Sequence, residues 1–102
     1  MRRNTIGGFE WDSRNSAKCQ KHGVSLGEVE DVFVNALVEF PDPTHSEKED
    51  RFILIGRNAE GRPIFVVFTL RQQDGQSFAR PISARYMHQK EVQTYEKTFT
   101  KT

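Results

Sequence analysis

Two apolar segments separated by a turn constrain the fold of this chain more than any other feature. Arg51–Gly56 and Ile64–Leu70 are rich in Ile, Val and Phe, and the turn sequence Asn-Ala-Glu-Gly lies between them at 58–61. Runs of β-branched and aromatic residues bounded by turns are typical of strands, so the two segments are predicted to form a hairpin. Asp-Gly at 74–75 marks a second reversal, which leads to a strand from about Ser77 to Ala84.

Helical patterns precede these strands. Asp12 or Ser13 is predicted to cap a helix that runs to about His22, because Gly23 behind it supplies a left-handed stop. The sequence Ser-Leu-Gly-Glu at 25–28 is a capping box and begins a second helix. The apolar residues of this helix share one side and are predicted to face the core: Leu26, Val29, Phe33 and Ala36.

The remaining segments complete the predicted order of elements. Leu37–Phe40 is predicted to be a short strand, and the polar, acidic stretch Asp42–Asp50 a loop. A last helix is indicated by four residues that fall on one face: His88, Val92, Tyr95 and Phe99. We therefore predict a single α+β domain over residues 1–102, with two N-terminal helices, an antiparallel sheet of three or four strands, and a C-terminal helix.

Composition excludes several classes of protein. Cys19 is the one cysteine, which excludes an internal disulfide framework and most cysteine-based zinc sites. An apolar share of 35% with eight Phe is too high for a disordered chain, and no apolar run approaches the length of a membrane span. The N-terminal Met-Arg-Arg is not followed by the apolar region of an export signal, so a cytoplasmic location is expected.

The net charge of +1 hides an asymmetry between the two halves of the chain. Residues 1–50 carry six Lys or Arg and ten Asp or Glu, a net charge of −4, whereas residues 51–102 carry nine and four, a net charge of +5. Most basic residues of the second half are arginines: Arg51, Arg57, Arg62, Arg71, Arg80 and Arg85. This concentration of arginine suggests a phosphate-facing surface. The alternative is that these charges only keep exposed strands and loops hydrated.

Lys21-His22-Gly23 is the first candidate for chemistry. A histidine donates or accepts a proton near pH 7, and an adjacent lysine can stabilise a phosphate. The alternative is that both side chains complement the C-terminal end of a helix dipole. Spacing alone favours the alternative.

Arg71, Arg80 and Arg85 are the second candidate. On the last strand Arg80 and Arg85 have opposite parity, so a regular strand would place them on different faces. Pro81 cannot donate to a strand ladder and indicates an edge or a bulge, and a bulge would bring Arg80 and Arg85 together. Convergent guanidinium groups bind phosphate and stabilise the added charge of a phosphorane. The alternative is a set of solubilising charges on edge strands.

Other polar and aromatic groups favour structural roles. The acidic loop with His45 lacks a recognised ligand spacing, so no metal site is predicted. Cys19 has no visible residue to orient it as a nucleophile and is assigned to packing. His88, on the apolar face of the last helix, is assigned to the core, as are Phe9 and Trp11.

An ordered set of short motifs spans residues 9–96. The motifs are Phe9-Glu10-Trp11-Asp12, Lys21-His22-Gly23-Val24-Ser25, Val32-Phe33, Asp42 with His45-Ser46, Glu49 and Arg51, Gly56 and Gly61, Thr69 with Arg71, Ile82-Ser83-Ala84-Arg85, and Glu91 with Tyr95-Glu96. Each motif is a weak signal alone, whereas the ordered set is specific. Together they resemble the BrnT toxin family of type II toxin–antitoxin systems.

The resemblance implies a RelE-like fold and a ribonuclease that cleaves RNA without a metal or other cofactor. It also implies a small DNA-binding antitoxin, BrnA, which neutralises the toxin and represses with it their shared operon. Two alternatives remain open. The first is a non-catalytic protein that uses the same arginines to bind RNA or an acidic partner, and the second is a module that only pairs with an antitoxin.

Metal-free RNA cleavage uses the 2′-OH as nucleophile and needs a base, an acid and cations. We assign His22 as the acid or base and Lys21 as a phosphate contact or second proton donor. Arg71 and Arg85 are assigned to the scissile phosphate. Further RNA contacts are assigned to Arg80, Arg57 and Arg51.

Overall fold

Three helices and five strands make up the described part of the chain. The computed structural model describes residues 6–42 and 49–99. The elements in chain order are β1 (Ile6–Phe9), α1 (Ser13–Gln20), α2 (Leu26–Val34), β2 (Ala36–Pro41), β3 (Phe52–Arg57), β4 (Pro63–Gln73), β5 (Gln76–Tyr86) and α3 (Gln89–Phe99). The mixed α+β class is thus confirmed. Among the described residues, no helix is long and apolar enough to cross a membrane.

The five strands form one sheet in the order β1-β5-β4-β3-β2. Neighbouring strands are antiparallel except β1 and β5, which run parallel. The prediction of an antiparallel sheet of three or four strands is therefore wrong in strand number and in one pairing. β1 has four residues, two of them Gly7 and Gly8, and glycine weakens a strand pattern. Its strand conformation comes from pairing with the backbone of β5.

The predicted hairpin is formed by β3 and β4, and the predicted second reversal joins β4 to β5. At that reversal Asp74 and Gly75 have φ angles of +50° and +79°. The predicted strand Leu37–Phe40 lies within β2. Residues 43–48 of the predicted acidic loop, with His45, lie outside the described residues.

Both N-terminal helices begin at the predicted caps. The Asp12 side chain accepts hydrogen bonds from the first turn of α1, and Ser25 forms the predicted capping box with Glu28 at the start of α2. α2 ends at Val34, so Ala36 is an exposed residue of β2 and not part of the apolar stripe. The spacing rule extended the helix too far because it ignores the sheet pairing that begins there.

The apolar residues form two clusters on opposite faces of the sheet. α1 and α2 cover one face, where Cys19, Val29 and Val32 pack with the inward residues of β3, β4 and β5. α3 covers part of the other face, where Val92 packs with Val38 and further residues of β2 and β3.

The packing assignments for Phe9, Trp11 and Cys19 are confirmed. The ring of Phe9 meets that of Phe33 edge-on at 5.1 Å between centroids. Trp11 packs against the larger cluster and donates from Nε1 to Glu30 at 2.9 Å. Cys19 is fully buried, and this burial raises the pKa of its thiol to about 11, so the thiol stays protonated at neutral pH.

His88 is exposed and precedes α3, so its assignment to the core is wrong. Its backbone N–H donates to the side chain of Glu91 at 3.1 Å, which places it at the helix start. The apolar face of α3 is formed instead by Val92, which is fully buried, and Tyr95, which stacks on Phe40.

Gly56 of β3 lies where the end of α2 meets the sheet. A Cβ atom at Gly56 would lie 2.6 Å from the carbonyl oxygen of Asn35 and 2.8 Å from that of Val32, both main-chain atoms. We expect Gly56→Ala to lower the free energy of unfolding by about 3 kcal/mol, because the backbone must shift to admit the methyl group. Urea denaturation measures this change, and an unaltered midpoint would contradict the expected clash.

Gly27 within α2 is the matched control for this substitution. Nothing lies within 4 Å of the position its Cβ would take. Gly27→Ala should therefore raise the free energy of unfolding by about 0.5–1 kcal/mol through better helix propensity. If the free energy of unfolding falls in Gly56→Ala and rises in Gly27→Ala, the steric effect is separated from a general effect of adding a methyl group.

Candidate functional site

A β-bulge places three arginines on one face of the sheet. β5 pairs with β4 so that Arg80 lies opposite Thr69 and Arg85 opposite Phe65. The pairing shifts by one residue at Ile82, between these two positions. Alternate residues of β4 share a face, so Arg80 and Arg85 both project on the side of Arg71. Of the two features that Pro81 indicated, an edge or a bulge, the pairing of β4 with β5 shows the bulge.

Asn15 of α1 holds the bulge in place. Its side chain is buried and its Nδ2 donates to the carbonyl of Pro81 at 2.8 Å and to that of Glu10 at 3.0 Å. Its Oδ1 accepts from the backbone N–H of Asp12 at 2.8 Å. Because β1 ends before Pro81, α1 takes its place beside β5 and satisfies the carbonyl that the bulge exposes.

A cleft of about 220 Å³ lies at the β5 edge of the sheet, where the first turns of α1 meet the side that carries Arg71 and Arg80. The residues that line it are Arg14, Asn15, Lys18, Glu49, Arg51, Arg71, Arg80 and Ile82. Five of these side chains are basic and one is acidic. The cleft is therefore strongly positive in a chain whose net charge is only +1, and it is suited to an anionic ligand.

Arg80 is held tightly beside the cleft. It lies 3.0 Å from Glu10 and 3.0 Å from Asp12, and its side chain is 15% exposed. Hydrogen bonds from the backbone of Asn15, helped by Arg80, hold the pKa of Asp12 below its ordinary value, against a smaller opposing effect of burial. Asp12 thus both caps α1 and orients Arg80.

Arg71 is held loosely by comparison. It lies 3.9 Å from Glu10 and 3.6 Å from Glu49, and its side chain is 46% exposed. Long ion pairs of an exposed arginine contribute little, so its guanidinium group can exchange carboxylate partners for another anion at small cost.

Arg51 contributes a free donor. Its Nε lies 3.5 Å from a carboxylate oxygen of Glu49. Within residues 6–42 and 49–99 this buried Nε has no hydrogen-bond partner. A buried donor without an acceptor is unfavourable, and the nearby carboxylate of Glu49 reduces this cost.

Arg85 and Arg57 lie outside the cleft lining. Arg85 makes a two-pronged contact with Glu91 of α3 at 3.2 and 3.3 Å, and its guanidinium carbon lies 4.5 Å from the ring centre of Phe65. Arg57, the last residue of β3, donates to the carbonyl of Gly61 at 2.9 Å. The fold therefore brings together Arg51, Arg71 and Arg80, but engages Arg85 and Arg57 elsewhere.

Lys21 and His22 are exposed in the turn that follows α1 and do not line the cleft. Tyr86 supports this turn, because its hydroxyl lies 3.3 Å from the carbonyl of Gly23 and donates to Glu28 at 2.8 Å. The hydrogen bond to Glu28 raises the pKa of Tyr86 above its ordinary value.

Acidification should weaken the contact between Arg85 and Glu91. The Arg85 side chain holds the pKa of Glu91 below its ordinary 4.5. A lowered pKa in the folded state means that the stabilisation is complete above about pH 4.5 and is lost as the pH falls below that value. We expect the free energy of unfolding of Glu91→Gln to depend less on pH below this point than that of the parent. Urea denaturation across this pH range measures the two free energies of unfolding. If they changed in parallel with pH, the expected contribution of Glu91 would be contradicted.

Sequence reasoning missed Arg14, Lys18 and Glu49 as lining residues. Arg14 and Lys18 are four residues apart in a predicted helix, so the pattern indicated that they share a side. The sheet face that this side meets could not be read from the pattern. Among the described residues, no group of three or more His, Cys, Asp or Glu is placed to hold a metal ion.

Comparison with known proteins identifies the family. A search of curated proteins found no match. The family model of BrnT, described as the ribonuclease toxin of a type II toxin–antitoxin system, matches residues 11–91. This range includes α1, α2, every lining residue of the cleft and the strands that carry them. The chain therefore belongs to the BrnT family of ribonuclease toxins, in which each toxin has an antitoxin partner.

Proposed function

We propose that this protein is a metal-independent endoribonuclease whose arginine cleft binds the scissile phosphate of RNA. The observation that carries the proposal is the convergence on one cleft of Arg71 from β4, Arg80 from β5 and Arg51, which directly precedes β3. Guanidinium groups recognise phosphate oxygens and stabilise the charge that develops in the transition state. A family of ribonuclease toxins supplies the matching substrate class.

Arg71 is the principal phosphate ligand in this proposal. Its side chain is 46% exposed and its carboxylate partners are 3.6 and 3.9 Å away, so an RNA phosphate can replace them. Arg80 is held at 3.0 Å by two carboxylates, which offset its charge and fix its position beside the phosphate. Arg51 lines the cleft and adds a further guanidinium group. Arg85, which Glu91 neutralises, contributes less, and Arg57 contributes least.

Two residues are proposed for proton transfer. Among the described residues, Glu49 is the one carboxylate that lines the cleft, and it accepts the proton of the 2′-OH as the O2′–P bond forms. His22 donates a proton to the 5′ oxygen as the P–O5′ bond breaks. Because His22 does not line the cleft, this step requires the turn after α1 to approach the bound phosphate. Lys21 contacts the next phosphate of the RNA chain. The products are a 2′,3′-cyclic phosphate and a 5′-hydroxyl end.

Cleavage in the presence of a chelator tests the proposal. The purified protein, freed of its antitoxin, should cleave single-stranded RNA equally well with and without EDTA, and the 3′ ends should carry cyclic phosphate. A requirement for a divalent metal would overturn the proposed mechanism. Binding of RNA without cleavage would favour the non-catalytic alternative.

The antitoxin partner is proposed to be BrnA-like and to cover the arginine cleft. Membership of a type II toxin family implies an antitoxin, and an acidic or hydrogen-bonding segment placed over the cleft would exclude RNA directly. The complex is proposed to repress the shared operon through the antitoxin. Calorimetry of the two proteins, with RNA as competitor, tests whether the antitoxin and RNA bind the same cleft. Simultaneous binding of RNA and antitoxin would exclude it.

A further inference from the structure

α1 carries a row of three basic residues along its exposed side. Arg14, Lys18 and Lys21 are all exposed, and α1 contains no acidic residue. The helical rise places Arg14 and Lys18 about 6 Å apart along the axis, and both line the cleft. Lys21 follows at the C-terminal end of the helix.

The three cations of this row differ from the sheet arginines in their pairing. Arg51, Arg71 and Arg80 each lie within 4 Å of at least one carboxylate. In the part of the chain that the structure describes, the row takes part in no ion pair. An unpaired cation is free to bind an external anion without first losing a partner.

The row leads from the cleft toward the turn that holds His22. Near its start, Asn15 contacts Pro81 of β5 at 2.8 Å, and beyond its end Gly23 contacts Tyr86 of β5 at 3.3 Å. α1 therefore runs alongside β5 from the bulge to the end of that strand. A polymer whose scissile phosphate lies in the cleft and whose chain follows α1 would reach Lys21 with a neighbouring phosphate.

We infer that Arg14, Lys18 and Lys21 form an extended subsite for the phosphates of single-stranded RNA on one side of the scissile bond. The inference rests on the proposed function, because it takes the phosphate in the arginine cleft as its starting point. The cleft has a volume of about 220 Å³ and α1 borders it on one side, which fits a single strand better than a duplex. Phosphate contacts from lysine and arginine are independent of base sequence. The subsite therefore gives affinity and direction to the RNA chain but no sequence preference.

Salt dependence of binding provides the test. The probe is a 2′-O-methyl oligonucleotide of eight nucleotides, which binds but cannot be cleaved because it lacks the nucleophile. Each phosphate contact to a single strand contributes a slope of about 0.7 to the dependence of log affinity on log salt. We expect the double variant Arg14→Ala, Lys18→Ala to reduce the slope by about 1.4, and the further change Lys21→Ala to reduce it by about another 0.7.

Two controls make the result specific. Lys90→Ala removes an exposed lysine from the first turn of α3, outside the cleft lining, and should leave the slope unchanged. A 2′-O-methyl dinucleotide, followed by NMR titration, has one phosphate and should bind the double variant and the parent alike. Equal losses with the dinucleotide and the longer probe would overturn the inference, since the two residues would then bind the scissile phosphate itself.

The outcomes also separate this inference from the proposed function. If the protein binds the long probe through the row but cleaves no RNA, the subsite stands and the proposed activity fails. If Arg71 is needed for binding and cleavage while the double variant changes neither the affinity nor the slope, the activity stands and the subsite fails. If the double variant lost affinity for the antitoxin but not for RNA, the row would be assigned to the protein partner, and the inference would likewise be overturned.

Discussion

Replacement of Arg71 by alanine should lower the rate of RNA cleavage by roughly 10²–10³-fold, the usual effect of removing one group that stabilises transition-state charge. Arg71 lies on the open side of the cleft, and its weak ion pairs leave it available to phosphate. Because its side chain is 46% exposed, truncation removes little packing and the fold should remain intact. Single-turnover cleavage of a labelled RNA measures the change.

Arg62→Ala is the matched control for this prediction. Arg62 is an exposed arginine near the start of β4 that stacks on Tyr86, outside the cleft. The Arg62→Ala variant should retain the parental rate of cleavage if the effect at Arg71 is local. A general effect of lost positive charge would slow both variants. Parental activity in Arg71→Ala would remove Arg71 from the proposed site.

Glu49→Gln should slow cleavage by roughly 10²–10⁴-fold, the range for a lost general base. The substitution keeps the shape of the side chain but removes the negative charge between Arg51 and Arg71. The affinity for a non-cleavable RNA should therefore be unchanged or higher. Weaker RNA binding with normal chemistry would contradict the role of Glu49 as a base.

His22→Ala should cause a loss of similar size, roughly 10²–10⁴-fold, because the departing 5′ oxygen loses its proton donor. Single-turnover cleavage of a labelled RNA measures the loss. Full activity in His22→Ala would leave this residue as an exposed helix-end cation.

Local signals were sufficient for most elements of the fold. The capping boxes at Asp12 and Ser25, the reversal at Asp74-Gly75 and the apolar segments of β3 and β4 are all consequences of nearby residues. β1 could not be recognised, because its two glycines carry no strand preference and its hydrogen bonds come from β5, far along the chain. The exposed position of His88 was missed for the related reason that helical spacing does not define where a helix starts.

The sequence by itself determined the family of the protein and indicated arginines as candidate phosphate ligands. The ordered motifs identified the family, and the excess of arginine in the second half indicated an anion-binding surface. Pro81 indicated an edge or a bulge, because a residue without an N–H cannot continue a strand ladder.

Only the tertiary structure decided which charged residues share a site. The one-residue shift at Ile82 puts Arg80 on the face of Arg71, and the position of α1 beside β5 brings Arg14 and Lys18 to the same cleft. Glu91 engages Arg85 elsewhere. Charges act through distance in space, and these distances depend on strand register and helix placement, which are set by contacts between residues far apart in the chain.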